Sequence, residues 1–500
     1  MQEKINQILS LFSAGEIQSA LDSAKELIKD FPNEEILFNI SGACYASLGD
    51  HNAAIKNYEK AIIIKPDYAK AHFNLGGTFQ DIGQLNSSVK SYEKAINIEP
   101  NYAEAHNNIG NVLKELGQLD SAISYYKKTI VINPKYIEAY YSLGSIFEEL
   151  GQLNSAVQYY EEVLVIKPEF SEMHNNLGVI LQHQGKLNEA IKHLKKAVNI
   201  KPDFAEAHNN LGNIHKDLNQ CDDAINCYKK AISINSNYAE AHFNLGTMLS
   251  QLGKLEAAVK SLESAVSNKA NYGEALHLLN ALTGKTTQSP PKEYVEKLFD
   301  DYADEFDNSL VKQLQYKLPF LINKLINKVA PSSSKFNNVI DLGCGTGLAG
   351  QDLRGISNNL TGIDLSNKMI IKAKAREVYD HLIGGDIAKT LNASKEKYDL
   401  FVALDVLIYI GEVSSIFKAI RRSCNQNAIF IFSIEVQSDG DYSLLKTGRY
   451  SHSEDYILRN SSDGFKLLES KEVKLRKDND KWITGKIICL QANSKYQEKN

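Results

Sequence analysis

Along residues 1–283 the apolar side chains recur at helical spacing, and the whole pattern repeats every 34 residues. Prolines stand at 32, 66, 100, 134, 168 and 202, with Ser236 and Ala270 continuing the series. Glycines stand at 42, 76, 110, 144, 178, 212 and 246, and tyrosines at 58, 92, 126, 160 and 228. A further ladder of small residues runs through 20, 54, 88, 122, 156, 190, 224 and 258. In the unit Ala103–Tyr136 the pattern predicts a first helix turning Ile109, Gly110 and Val112 inward, then a turn at Leu116–Gly117. A second helix follows through Ala122, Tyr126 and Thr129, and Pro134 stops it, because proline lacks the N–H and clashes with the preceding turn. Glycine and alanine mark where two helices approach closely. The tyrosine is expected to fill the gap between one unit and the next. Residues 1–271 hold eight units, and 273–282 predict a ninth first helix that caps the last apolar face. The first unit departs at Ile8 and Leu27, where the pattern asks for small residues.

After Gly284 the period stops. Residues 285–291 are a short polar connector whose double proline cannot continue a helix. A helical stretch, 294–329, leads to β-rich runs at 337–343, 359–365, 398–406 and 428–436, separated by amphipathic segments at 347–353, 367–378 and 413–423. This alternation predicts a parallel sheet with helices on both faces. Residues 465–475 and 482–491 predict an antiparallel hairpin that closes the sheet. The expected organisation is a repeat array over 1–283, a linker at 284–291, an α/β domain over 292–493 and a tail at 494–500.

An apolar fraction of 43% over 500 residues is that of a globular protein, and no apolar run approaches the roughly 20 residues a bilayer span needs. The N-terminal stretch reads as an amphipathic helix rather than a signal peptide. Six scattered cysteines without a CxxC pair fit a reduced, cytoplasmic setting. Residues 1–283 carry 25 Lys, no Arg and 33 acidic residues, a net of −8, and the remainder carries a net of +3. Neither part has the basic excess that binding a nucleic-acid backbone demands, so neither nucleic acid nor membrane is an expected partner.

The chemistry gathers at the end of the first β-run, in Val339–Gly347, which reads VIDLGCGTG. Alternate glycines let the chain turn sharply and bring bare backbone against a ligand, with the positive end of the next helix nearby. The following β-run ends in Asp364, a carboxylate placed to accept hydrogen bonds from both hydroxyls of a ribose. An adenosine-containing cofactor follows. Gly345, Gly347 and Gly350 also satisfy the dinucleotide pattern GxGxxG. Against that pattern, Asp341 directly precedes the turn, where it would repel a pyrophosphate and would suit a cationic amino group.

The 34-residue units resemble the tetratricopeptide repeat. DLGCGTG followed by GIDLS resembles motifs I and II of class I S-adenosylmethionine-dependent methyltransferases. The segments 294–307, 448–457 and 481–490 are similar to bacterial predicted methyltransferases with N-terminal tetratricopeptide repeats. The resemblance implies two domains, an all-α superhelical solenoid followed by an α/β Rossmann-like methyltransferase domain. It further implies S-adenosylmethionine as cofactor. Asp341, Gly343 and Gly345 would line its methionine end, with Cys344, Thr346 and Gly347 completing the loop and Cys344 a small filler. Asp364, beside Leu365, would hold the ribose. Met369 would lie against adenine, Asp386 would meet the adenine amino group, and Ile387 would cover the ring. Leu404 and Asp405 would form the rim facing the substrate, and Tyr302 would fold over the cofactor. Arg449, Tyr450 and His452 are expected in a substrate-facing loop.

In the repeats, Asn74, Asn108, Asn176, Asn210 and Asn244 stand two residues before the packing glycine. They resemble the asparagine ladder of O-linked N-acetylglucosamine transferase repeats and imply an extended peptide or protein in the groove, since an amide offers both donors and acceptors to a peptide backbone. The alternative is that these amides bond within or between repeats. The repeated histidines are read as packing residues, and no metal site is expected. A sulfonium is a strong electrophile, so such an enzyme mainly places the nucleophile in line. Asp405 and His452 are the candidate bases for a hydroxyl or ammonium acceptor, whereas a carboxylate acceptor would need none. The expected function is a methyltransferase whose repeats recruit a protein or peptide, with the methyl acceptor left open. The rivals are a repeat scaffold with a non-catalytic cofactor domain, and a small-molecule O- or N-methyltransferase whose repeats serve only assembly.

Overall fold

The computed structural model describes residues 1–303, 306–308, 310, 318–330, 335–478 and 481–493; the expected tail, 494–500, lies outside them. The chain divides into two compact units, one from Met1 to Lys230 and one from Ala231 onward.

The first unit is a tandem of helical hairpins that follows the ladders. First helices begin at 35, 69, 103, 137, 171 and 205, and second helices at 51, 85, 119, 153, 187 and 221. Between the helices of a pair the chain passes through a left-handed residue, as at Gly117 with φ +72°; the seventh repeat uses Asn219 there, φ +58°, the side chain that best tolerates that region. The tyrosine ladder does two jobs. Each ring lies against the glycine of its own repeat, so that a Cβ on Gly144 would sit 2.3 Å from Tyr160 Cε1. The same rings also reach onward: Tyr126 clusters with Ala139, Leu143 and Ile146 of the next repeat, and Asn108 Nδ2 in the next repeat donates to Tyr92 Oη at 3.3 Å. The geometry also explains the first repeat. Ile8 stands in the glycine position and Ala24 in the tyrosine position, and both are buried, so the bulk has moved from one helix to the other.

The second unit opens with the eighth repeat, Ala239–Gln251 and Leu255–Asn268, and a further helix Gly273–Thr283, the expected cap. Helices Lys292–Tyr302 and Leu318–Val329 precede the sheet. Its strands are β1 (Phe336–Leu342), β2 (Ser357–Asp364), β3 (His381–Gly384), β4 (Tyr398–Ala403), β5 (Cys424–Val436), β6 (Tyr442–Leu444), β7 (Tyr450–His452), β8 (Phe465–Asp478) and β9 (Lys481–Ala492). The order runs β3-β2-β1-β4-β5-β7-β6, parallel from β3 to β5, with β9 antiparallel to β5 and β8 antiparallel to β9. Alternate residues feed opposite cores. Phe401, Phe430 and Phe432 pack with Phe417 on one face, while Leu400, Ile429 and Ile431 pack with Leu318, Ile322 and Leu325 on the other. The strand order reverses between β1 and β4, and that switch point leaves a crevice at the strand C-termini.

Candidate functional site

The loop after β1 is held against β2 by main chain. Gly343 N and Cys344 N both donate to Ile363 O, at 2.7 and 2.9 Å, and Gly345 N donates to Asp364 Oδ2 at 2.8 Å. A side chain at Gly343, φ +69°, would place its Cβ 2.5 Å from Val406 Cγ2, so the turn after β4 and the loop after β1 share one close contact. This loop forms the floor of a cavity of about 810 Å³, a volume typical of small-molecule sites.

Asp341 lines that cavity and is almost wholly buried. Tyr379 Oη donates to its Oδ2 at 2.7 Å, and among the described residues no ion pair meets it. Burial pushes its carboxyl up to about 7, with the nearby Asp364 adding in the same direction and the Tyr379 hydrogen bond working against both. Sequence reasoning missed Tyr379. Its only signal is an aromatic residue in the short turn before β3, yet its hydroxyl would sit 2.5 Å from a Cβ on Gly350, so the helix Gly350–Ile356 closes directly over it.

Asp364 is buried and its carboxyl is raised by burial, although Ser366 N donates to Oδ1 at 2.9 Å and Gly345 N to Oδ2. Asp364 also lines the cavity. Cys344, Thr346, Leu365, Asp386, Ile387, Leu404 and Tyr302 also line the cavity. Burial pushes the Cys344 thiol far up, which suits a filler and not a nucleophile. Asp386 caps the helix Ile387–Ala393, accepting from Lys389 N at 2.9 Å. Met369 and Gly347 lie off the cavity: Met369 is fully buried on the helix Asn367–Lys374, and Gly347 packs on Tyr379 and Arg376. A second missed feature ties the segment before the sheet to the loop. Thr346 Oγ1 donates to Asp307, Arg376 pairs with the same carboxylate, and Arg376 Nε donates to Thr346 O at 2.6 Å. Beside it stands an aromatic wall in which Tyr302 meets Phe306 edge-on at 5.6 Å and Phe299 meets Tyr409 at 5.1 Å.

At the far end, Asp405 follows β4 with φ +54° and its Oδ2 lies 2.7 Å from Arg476 Nη1. His452 does not join it. The segment expected as a substrate-facing loop is instead β7, where Ser451 and His452 pair with Glu435 and Val436 of β5. His452 is fully buried, lies off the cavity, and donates from Nε2 to Ile410 O at 2.8 Å; burial lowers its pKa and keeps it neutral. Tyr450 is also turned inward, its hydroxyl 2.7 Å from Thr287 Oγ1, while Arg449 does line the cavity. The polar connector contributes as well. Gln288, Ser289 and Pro290 form part of the cavity wall, Gln288 O accepts from Glu412 N at 2.8 Å, and His277 Nε2 of the cap helix donates to Gly448 O at 3.0 Å.

In the repeats, Asn74 Nδ2 donates to Asn39 Oδ1 at 2.9 Å and Asn210 Nδ2 to Asn175 Oδ1 at 3.0 Å, each joining its first helix to that of the preceding repeat. Asn176 and Asn244 are half-buried. His72, His106, His174 and His208 each spend Nε2 on the carbonyl of the proline six residues earlier, at 3.0–3.1 Å, which accounts for the histidine ladder as packing.

Models of the tetratricopeptide repeat match residues 42–83, 78–117, 110–151, 180–219 and 212–253, and a related model matches 137–170 and 239–272. A model described as a methyltransferase domain matches 340–432. Among solved structures, MamA is 29% identical over 32% of this chain and 93% of its own, with a TM-score of 0.30. YrrB, described as a tetratricopeptide-repeat protein with an unusual peptide-binding site, is 22% identical over 38% of this chain and 97% of its own, TM-score 0.33. The Cut9–Hcn1 hetero-tetramer is 19% identical over 55% of this chain and 54% of its own, TM-score 0.35. Among the described residues no helix is long and apolar enough to cross a membrane. The chain is thus a fusion of tetratricopeptide repeats to a methyltransferase domain.

Proposed function

We propose that residues 292–493 form an S-adenosylmethionine-dependent methyltransferase and that the repeats and cap over 1–283 recruit a protein or peptide, as substrate or as tether. The observation that carries the cofactor reading is Asp341, a carboxylate buried on the cavity wall that among the described residues meets no cation. A ligand ammonium supplies that cation. Asp341 and the Gly343 and Gly345 backbone would hold the methionine end, Asp364 the ribose, and Asp386 with Ile387 the adenine. When bound, the cofactor supplies an electrophilic methyl group. The chain itself orients the ligand through the loop after β1, excludes water with the aromatic wall of Phe299, Tyr302 and Phe306, and presents the acceptor at the end of β4.

Calorimetric titration of the full chain tests this reading. S-adenosylmethionine should bind saturably, Asp364→Ala should abolish the heat, and NAD should give none. Silence from S-adenosylmethionine with the folded wild-type chain would sink the reading and leave a repeat scaffold. The recruitment half has its own support in the amides of the repeats and is tested by whether a truncation to 284–500, if it folds, keeps activity on a small acceptor but loses it on a protein.

A further inference from the structure

The cavity extends past the cofactor residues to a group of four charges. Arg476 is buried beside β5, its Nη1 2.7 Å from Asp405 Oδ2 and its Nη2 on Glu435; Arg449 Nε lies 3.0 Å from Glu435 Oε1. Glu435 is buried and off the cavity, whereas Arg449, Arg476 and Asp405 line it. Glu435 therefore stands behind the wall, hydrogen-bonded to Arg476 and within ion-pair distance of Arg449, and the wall carries those two guanidinium groups with Asp405 beside them and Glu412 elsewhere on the lining. Tyr409 lines the same end and completes it with a hydroxyl. Burial pushes that phenol up to about 12 while Arg476 and Arg449 both act to lower it, more strongly than Asp405 acts to raise it.

We propose, resting on the methyltransferase reading above, that this end of the cavity takes an acceptor with an apolar body and a carboxylate, the carboxylate held by Arg449, Arg476 and the Tyr409 hydroxyl. The walls leading to it, among them Val295, Leu298, Phe299 and Ile408, suit an aliphatic or aryl body. Guanidinium groups kept in place by a carboxylate behind them still carry N–H donors for a second carboxylate in front. Both candidate bases are otherwise engaged, Asp405 by Arg476 and His452 by main-chain carbonyls behind the wall. A carboxylate needs no base at neutral pH. One of its oxygen lone pairs forms the new O–CH3 bond as the carbon–sulfur bond breaks with its electron pair on sulfur; one positive and one negative charge are consumed, and no proton moves.

The test is calorimetry on the full chain saturated with S-adenosylhomocysteine, at pH 8, with octanoate, octanamide and octylamine as probes. Octanoate should bind at least about tenfold tighter than octanamide, a difference of about 1.4 kcal/mol, and octylamine should bind more weakly than either. Arg449→Gln should erase the octanoate preference without altering the S-adenosylhomocysteine isotherm, and Tyr409→Phe should weaken octanoate alone. Equal binding of octanoate and octanamide, or a preference for octylamine, overturns the proposal on the wild-type chain without recourse to a variant. Failure of S-adenosylhomocysteine to bind at all instead overturns the methyltransferase reading and this inference with it.

Discussion

The repeats and the sheet both bring backbone close to a bulky neighbour, and they do it in different ways. In the repeats, Gly42, Gly76, Gly110, Gly144 and Gly212 each face the ring of the tyrosine on the second helix of the same hairpin. In the α/β domain, Gly343 faces Val406 and Gly350 faces Tyr379, partners distant in sequence and not repeated at any period. The first arrangement is local and redundant, so the chain compared with itself reveals it. The second is neither. A lesion in a repeat should therefore cost stability in proportion to one contact, whereas a lesion at the loop after β1 should remove function outright.

The largest expected effect is at Asp341. Asp341→Asn should lower S-adenosylmethionine affinity by about 100-fold, a loss of a charge-assisted contact inside a dry cavity. The same substitution should stabilise the ligand-free protein. The folded carboxyl titrates at about 7 against an ordinary 3.8, so between those values the folded state holds a proton that the unfolded state has released. Stability of the free protein should fall as pH rises from about 4 to about 7 and level off above. At pH 8 the asparagine variant should thus melt higher than the wild type, by roughly 5 °C, in a scan without ligand. Lower stability together with lost binding would show that Asp341 holds the fold and not a ligand, and the contrast between the two regions would fail.

Next in size is Gly144→Ala. The added Cβ meets the Tyr160 ring at 2.3 Å, and overpacking of this kind costs about 1–3 kcal/mol. Faster hydrogen exchange confined to the helices Ile137–Glu149 and Leu153–Ile166 should register it. Tyr160→Ala in the same background should restore part of the loss, because the first repeat already pairs Ile8 with Ala24. A matching fall in cofactor affinity would break the distinction between local and single-use contacts.

A smaller effect is expected from Tyr379→Phe, which removes the hydrogen bond at 2.7 Å that favours the charged form of Asp341. The Asp341 carboxyl should titrate still higher, so cofactor binding, which strengthens with pH as that group ionises, should reach its plateau at higher pH. Affinity at pH 7 should drop about tenfold, in line with about 1.5 kcal/mol for a hydrogen bond to a charged group. An unchanged pH profile would assign Tyr379 to packing under Gly350 alone.

These residues also mark where sequence reading ends. The helix starts, the cap and the parallel core from β1 to β4 were all legible, because ladders and alternation are local signals. So was the loop Val339–Gly347, whose glycines and Asp341 stand in one run. Tyr379, the Asp307–Arg376 pair and the wall formed by Gln288–Pro290 were not, since each acts through contacts with distant segments. The His452 expectation failed for the same reason: a three-residue strand pairing with the last residues of β5 carries no pattern of its own.

The finest test separates the ladder asparagines from one another. Asn210 donates to Asn175 across two repeats at 3.0 Å, whereas among the described residues no side-chain hydrogen bond engages Asn176. Asn210→Ala should cost about 1 kcal/mol in urea unfolding, the ordinary worth of a half-buried hydrogen bond, and should leave Asn175 short of a donor. Asn176→Ala should leave stability unchanged. If the groove holds a peptide backbone, the free amide is the one that meets it, so Asn176→Ala should weaken capture of a peptide partner and Asn210→Ala should do so less. Equal, negligible effects of both on capture would return the whole ladder to the cohesion of the repeats, leaving the amides as local and redundant as the glycines beside them.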